Sequence, residues 1–171
     1  VVSSAIEPNN IELTTAHEKN IPVLSRAEML AELMRFKFGI AVSGTHGKTT
    51  TSSLITHIFI ENNTETSFII GGLLKNLNTN SNLNSGEHLI IEACESDKSF
   101  LKIKPYISII TNIDHEHLNN YKNNINNLEQ AFCEFAKNTN NIKLGSFGWS
   151  YTYPSGYYTK NIDPQENFQT L

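Results

Sequence analysis

Cysteine and basic residues are scarce in this sequence, and long apolar runs are absent from it. Two cysteines, Cys94 and Cys133, are too few for a disulfide framework or a zinc site, and they fit a reducing compartment. Lys and Arg number 13 against 17 Asp and Glu, a net charge of -4, so we expect no nucleic-acid partner. No apolar run approaches the roughly 20 residues of a membrane-spanning helix, so we expect no membrane association.

The beginning of the sequence also lacks familiar signals. It has neither the basic segment nor the apolar stretch of a signal peptide, and we expect a cytoplasmic protein. The first residue, Val1, already lies inside an apolar run of strand length, so we interpret the chain as a piece of a larger fold. Its 171 residues are enough for one main domain.

Strand-length apolar runs alternate with segments of helical periodicity. The apolar runs are 1–6, 38–44, 66–72, 88–94 and 106–113, and the helical segments are 9–20, 26–36, 49–62 and 125–138. The apolar faces of the last two helices are predicted to be Leu54, Ile55, Ile58 and Phe59, and Leu128, Ala131, Phe132 and Phe135. This alternation predicts an α/β fold with a mostly parallel sheet covered by helices. Residues 141–171, rich in Gly, Pro, Tyr and Asn towards their end, receive no structural assignment.

The stretch "SGTHGKTTTSS", residues 43–53, carries the strongest chemical signal. Gly44 and Gly47 permit a tight turn whose amides can face a polyphosphate at a helix N-terminus. Lys48 would reach the outer phosphates, and the Thr49 hydroxyl would ligate magnesium, so the stretch predicts a site for ATP and Mg²⁺. The general P-loop pattern has glycine where this chain has Val42, and the alternative is a plain strand-to-helix turn with an exposed lysine.

Acidic and histidine side chains follow two later strands. They lie in "EACESD" and "DHEHLNNY" and comprise Glu92, Glu95, Asp97, Asp114, His115, Glu116 and His117. Because loops that follow parallel strands meet at one edge of a sheet, these loops and the glycine loop are expected to converge. Magnesium prefers hard oxygen ligands, so the convergence predicts a metal shell.

Four segments together resemble the Mur ligase family. They are "AEMLAELMRFKFGIAVSGTHGKTTT", "GGLLKN", "EACESDKSFLKIKP" and "ITNIDHEHLNNY", and the resemblance runs from about Val1 to Lys137. It implies that residues 1–37 are the end of an N-terminal UDP-sugar domain with its linker. Residues 38–140 would be part of a central ATP-binding domain, and 141–171 a divergent tail.

The resemblance also implies an activity and its partners. The implied reaction is the ATP-dependent joining of L-alanine to UDP-N-acetylmuramate in peptidoglycan synthesis. The chain would be a fragment that lacks most of the N-terminal domain and the C-terminal domain, would be inactive by itself, and would have a complementary fragment as a partner. Two alternatives stay open: a nonenzymatic nucleotide-binding remnant of a split or decaying gene, and a small P-loop phosphotransferase.

Residue roles are implied by the same resemblance. The ATP loop would comprise Gly44, Thr45, His46, Gly47, Lys48, Thr49 and Thr50. The catalytic residues would be Lys48 and His117. The magnesium ligands would be Thr49, Glu92 and His117, with Glu95 as the next candidate. The chain departs from the family where aspartate is replaced by Cys94 and where Asn119 follows "DHEHL". These departures remove carboxylate oxygens near the predicted metal.

Overall fold

The computed structural model describes residues 1–3, 5–116 and 118–145. Its α-helices are α1 (Ile11–Glu18), α2 (Arg26–Met34), α3 (Lys48–Glu61) and α4 (Ile125–Lys137). Its strands are β1 (Phe38–Ser43), β2 (Thr66–Leu74), β3 (Thr79–Asn82), β4 (His88–Glu92), β5 (Ile107–Ile110) and β6 (Ile142–Gly145). Short 3-10 helices occupy Ser99–Lys102 and Leu118–Tyr121. The predicted ligand His117 and the tail from residue 146 lie outside the described residues.

The strands form one six-stranded sheet in the order β3-β2-β4-β1-β5-β6. Within the described residues, β2 and β3 pair in antiparallel fashion and every other neighbouring pair is parallel. The register sets Val42 beside Glu92 and Ser43 beside Ile110, so the carboxyl ends of β4, β1 and β5 are adjacent. The predicted α/β fold with a mostly parallel sheet is therefore confirmed.

Helices cover both faces of this sheet. Alternate residues of β1 and β4 point to opposite sides, as strand geometry requires, so Ala41 belongs to one apolar cluster and Ile40 to the other. On the first face Phe100 packs edge-on against Phe132, with ring centroids 5.1 Å apart. On the second face, side chains from α3 pack against the cluster that contains Ile40. The strands between the two layers are consequently buried on both sides.

The two predicted helix faces had different outcomes. All four predicted residues of α4 are buried, so that prediction is confirmed. In α3, Ile55 and Phe59 pack against the core, but Leu54 and Ile58 are each 58% exposed, so half of that prediction is wrong. The sheet-facing side of α3 instead includes Thr56, whose hydroxyl donates to the Ser52 carbonyl and is thereby satisfied within the helix.

Three segments at the periphery differ from expectation. The predicted strand 1–6 is reduced to a single parallel bridge between Val2 and Ser25. Strand β3 has the sequence "TNSN", which carries no apolar periodicity and was not predicted. Strand β6 lies in residues 141–171, for which the sequence predicts no regular structure, and it pairs with β5 in parallel.

None of the described helices combines the length and the apolar composition that crossing a bilayer requires.

Candidate functional site

The loop between β1 and α3 leads directly into an uncapped helix end. Gly47 is the N-cap of α3 with a φ of 79°, and no side chain in the described part of the chain caps the helix. The first turn of α3 contains no acidic residue of its own. A side chain at Gly47 would meet nothing within 4 Å, so the space beside the N-cap is open. The first-turn amides have no partner within the helix, and such amides can bind anionic groups such as phosphate.

Gly44 is required by close packing against the end of β5. Its φ is 131°, and an added Cβ would lie 2.1 Å from Thr111 Oγ1 and 2.9 Å from the Asn112 carbonyl oxygen. Asn112 Oδ1 accepts a hydrogen bond from the His46 amide at 2.9 Å, and Asn112 Nδ2 donates to the His46 carbonyl at 3.0 Å. Thr45 N donates to the Asn112 carbonyl at 3.1 Å. The loop is therefore fixed to the chain that follows β5.

Asn112 and Thr111 were not selected as site residues from the sequence. Thr111 Oγ1 donates to the His46 carbonyl at 2.5 Å and lies 3.2 Å from the Ser43 carbonyl oxygen. Their position directly after a strand, at the carboxyl edge of a parallel sheet, was the available signal. Both act on the loop backbone rather than facing the open space at the helix end.

Lys48 points back over the loop and forms an ion pair. Its Nζ lies 2.9 Å from Glu95 Oε2 and donates hydrogen bonds to the Gly44 and Thr45 carbonyls. The side chain of Lys48 is 14% exposed and that of Glu95 is 1% exposed. The lysine predicted to bind phosphate therefore already has an anionic partner, supplied by the loop after β4.

Thr49 and Glu92 meet at the other side of the helix start. Thr49 Oγ1 donates to Glu92 Oε2 at 2.8 Å, and the Gly71 amide donates to the same oxygen at 2.8 Å. A Cβ on Gly71 would lie 2.6 Å from Glu92 Oε2, so the backbone of β2 approaches this carboxylate closely. The structure thus brings together two of the four predicted magnesium ligands.

The remaining predicted ligands are not part of that contact. His117 lies outside the described residues, and Glu95 is engaged by Lys48. No group of three or more His, Cys, Asp and Glu side chains able to hold a metal ion occurs among the residues with described positions. Magnesium at nucleotide sites usually binds one or two carboxylates together with phosphate oxygens, and the Thr49–Glu92 contact fits that donor set. The metal role of Glu95 and His117 stays a prediction.

The other predicted loop residues lie around the lysine and the helix start. Thr45 is buried, and its Oγ1 accepts a hydrogen bond from the Asp114 amide at 2.9 Å, so its hydroxyl stabilises the loop. His46 is half-exposed, with Nε2 3.7 Å from Glu116 Oε1 and 3.8 Å from Asp114 Oδ2. Thr50 is exposed in the first turn of α3. Of these three, His46 and Thr50 are open to solvent.

The segment after His117 holds the loop that carries Glu95. The Tyr121 hydroxyl donates to the Glu95 carbonyl at 2.5 Å, and Asn120 Nδ2 donates to the Ser96 carbonyl at 2.7 Å. Burial raises the pKa of Tyr121 well above its usual range, and the nearby Glu95 charge adds to this, so the phenol stays protonated and remains a donor. Cys94, a departure from the family pattern, has its Sγ 2.9 Å from Ser96 Oγ in the same loop.

Three features define an α/β domain of the P-loop type. They are a glycine loop after the central strand, a lysine at the helix start, and a hydroxyl–carboxylate contact at the carboxyl edge of a parallel sheet. Comparison with known families gives a narrower result. The sequence profile of the Mur ligase middle domain matches residues 42–145, and that of the Mur ligase family catalytic domain matches residues 1–38. The chain belongs to the Mur ligase family.

Individual relatives agree with this assignment. The UDP-N-acetylmuramate–L-alanine ligase of Ruthia magnifica subsp. Calyptogena magnifica is 55% identical over 138 residues, which are 81% of this chain and 29% of that protein. The ligase of the same name from Vesicomyosocius okutanii subsp. Calyptogena okutanii is 54% identical over 138 residues, with the same coverage. The crystal structure of UDP-N-acetylmuramate-alanine ligase from Thermotoga maritima superposes with a TM-score of 0.73 at 27% identity, over 82% of this chain and 33% of that one. The chain thus spans about a third or less of the length of these relatives.

Proposed function

We propose that this chain supplies the ATP- and magnesium-binding part of a ligase that joins L-alanine to UDP-N-acetylmuramate in peptidoglycan synthesis. The observation that carries the proposal is the uncapped start of α3, where Lys48 and the Thr49–Glu92 contact follow directly after Gly47. The identity of 55% to a ligase of that name, over 81% of the chain, supports the choice of reaction.

Each residue has a separate task in this proposal. Amides of the first turn of α3 bind the phosphates, and Lys48 offsets the charge that develops on the transferred phosphoryl group. Thr49 and Glu92 would hold Mg²⁺, with His117 as a further proposed ligand, and the bound ion would supply additional positive charge. Residues 38–140 would form part of the ATP-binding domain, and residues 1–37 the end of the domain that precedes it.

The proposed reaction needs little covalent help from the protein. The carboxylate of UDP-N-acetylmuramate attacks the γ-phosphorus of ATP and releases ADP. The amine of L-alanine then attacks the acyl carbon, phosphate departs, and the nitrogen loses a proton. The residues of this chain act on the first step by positioning the triphosphate and stabilising its charge.

Substitution of the loop lysine tests the nucleotide site. We expect Lys48→Ala to weaken Mg²⁺-ATP binding on the order of tenfold to a hundredfold, because it removes a charged hydrogen-bond donor to phosphate. Isothermal titration calorimetry on the whole chain measures this. Lys104→Ala is the matched control, since Lys104 is exposed and precedes β5 at the opposite edge of the sheet. Equal affinity of the two variants, or no ATP binding by the unsubstituted chain, would contradict the proposal.

A chimera tests the reaction itself. The matched 138 residues of the Ruthia magnifica ligase are replaced by those of this chain, and phosphate release is followed. We expect release that requires both L-alanine and UDP-N-acetylmuramate. A folded chimera that binds ATP without turnover would instead favour the nucleotide-binding remnant, and release that is independent of L-alanine would favour a phosphotransferase.

A further inference from the structure

The Lys48 ammonium already has three oxygen partners. A lysine ammonium has three N–H donors and no acceptor. Lys48 Nζ donates to the Gly44 carbonyl and to the Thr45 carbonyl, and its charge is paired with Glu95 Oε2, 2.9 Å away. A phosphate oxygen that binds Lys48 therefore competes with these three oxygens for the ammonium. The carboxylate is the partner most like phosphate, because both are anions.

Glu95 depends strongly on this lysine. Its side chain is 1% exposed, and neither carboxylate oxygen accepts a well-oriented hydrogen bond from any residue whose position is described. The short distance to Lys48 Nζ is thus a charge contact, and it is the interaction that offsets the buried negative charge. Glu92 differs, because its carboxylate accepts from Thr49 and Gly71.

The backbone of Glu95 is held in place independently of Lys48. Its carbonyl accepts from the Tyr121 hydroxyl and from the Lys98 amide at 3.0 Å. The carboxylate is consequently fixed beside the loop when the ammonium turns away. Loss of Lys48 to another anion would leave a buried charge without a partner.

We propose that Glu95 is a resident anion of the phosphate site: it pairs with Lys48 in the nucleotide-free protein, and ATP takes its place on the ammonium. This inference rests on the proposed ATP site and makes Glu95 a positioning residue for Lys48. Binding of metal-free ATP then carries the cost of an unpaired Glu95, whereas Mg²⁺ bound with the nucleotide would supply positive charge that reduces this cost. Glu95 thereby favours the metal-loaded nucleotide over the free one.

A double-mutant cycle tests the pairing without nucleotide. We expect Lys48→Met to lower Tm on the order of 6 °C or more, because it strands the buried carboxylate. Adding Glu95→Gln to Lys48→Met should recover at least about half of that loss, since the charge is gone. Additive effects of the two substitutions would overturn the pairing.

Nucleotide affinity tests the exchange. We expect Glu95→Gln to bind ATP in EDTA on the order of tenfold or more tightly than the unsubstituted chain, with a smaller gain when Mg²⁺ is present. Glu61→Gln is the matched control, because Glu61 is exposed at the far end of α3, about 20 Å from Lys48 along the helix. If Glu95→Gln does not fold, Glu95→Asp, which shortens the side chain and weakens the pair, should show a gain in the same direction.

The outcomes separate this inference from the proposed function. Failure of the unsubstituted chain to bind Mg²⁺-ATP removes the proposed ATP site, and the exchange with it. Normal Mg²⁺-ATP binding with unchanged or weaker affinity of Glu95→Gln for metal-free ATP overturns the exchange and leaves the ATP site intact. Unchanged metal-free affinity together with a loss of the Mg²⁺ effect would assign Glu95 to the metal.

Discussion

The two glycines of the loop between β1 and α3 differ in why a larger residue would be disfavoured. Both have positive φ, 131° for Gly44 and 79° for Gly47. Gly44 also lies against Thr111 and the backbone of Asn112, whereas a Cβ at Gly47 would project into open space. Backbone conformation thus favours glycine at both positions, and packing is an additional requirement at Gly44.

Alanine substitutions should separate these two requirements. We expect Gly47→Ala to lower the free energy of unfolding by about 1–2 kcal/mol, the cost of a left-handed conformation for a residue with a Cβ. Gly44→Ala should cost at least about 1 kcal/mol more, because Asn112 backbone atoms must move as well. Guanidinium denaturation without nucleotide measures both, and equal losses would contradict the packing argument.

Side-chain partners at the site were only partly predictable from sequence. The loop, the lysine and the convergence of acidic loops followed from residue types and from the rule that parallel strands end at one edge. The sequence could not predict that Glu92 pairs with Thr49 and Glu95 with Lys48, because these pairings depend on strand register and on the turn after β4. The role of Asn112 as a clamp on His46 depends on the same register.

At the scale of elements, α2 begins with a capping box. The Ser25 amide donates to Glu28 Oε2 at 2.8 Å, and the Glu28 amide donates to Ser25 Oγ at 3.2 Å. Lys102 Nζ lies 3.0 Å from Glu28 Oε1 and connects the helix to the 3-10 helix Ser99–Lys102. The hydrogen bonds from Ser25, followed by the Lys102 charge, lower the pKa of Glu28 from 4.5 to about 2.

This lowered pKa predicts a pH-dependent contribution to stability. A carboxyl group whose pKa is lower in the folded state stabilises the fold above its unfolded pKa and loses that effect as pH falls through the folded value. We expect the stability difference between the unsubstituted chain and Glu28→Gln to shrink as pH falls from about 4.5 to about 2. Urea denaturation at several pH values measures it. Glu32→Gln, at an exposed ion pair with Arg35, should show a much weaker trend.

Elements with strong periodicity were predicted best. Helix α4 buries its apolar stripe as expected, since its remaining faces are polar. Helix α3 has apolar residues around more of its circumference, so the sequence could not show which of Leu54 and Ile55 faces the sheet. Strand β3 forms through its neighbour β2 rather than through apolar residues of its own.

At the scale of the whole molecule, stability depends on burial on both faces of the sheet. The first face is dominated by Phe100, whose ring contacts those of Phe132 and Phe135. Phe36, in contrast, is 81% exposed. The sequence predicted the layers correctly because buried parallel strands require cover on both sides.

Truncation of one ring should reveal this dependence. We expect Phe132→Ala to lower the free energy of unfolding by about 3–5 kcal/mol, because it leaves a cavity between α4 and Phe100. Phe36→Ala, the same change at an exposed position, should stay within about 0.5 kcal/mol. Chemical denaturation compares the two, and similar losses would contradict the assignment of the core.

The position of β1 in the sheet also determines which part of the site can move. β1 is hydrogen-bonded to β4 on one side and to β5 on the other, and the phosphate loop is its direct continuation. An anion that binds there meets a stationary support, since the strand beneath it cannot shift without breaking two ladders. Side chains or turns that close on such an anion would therefore move relative to a fixed loop.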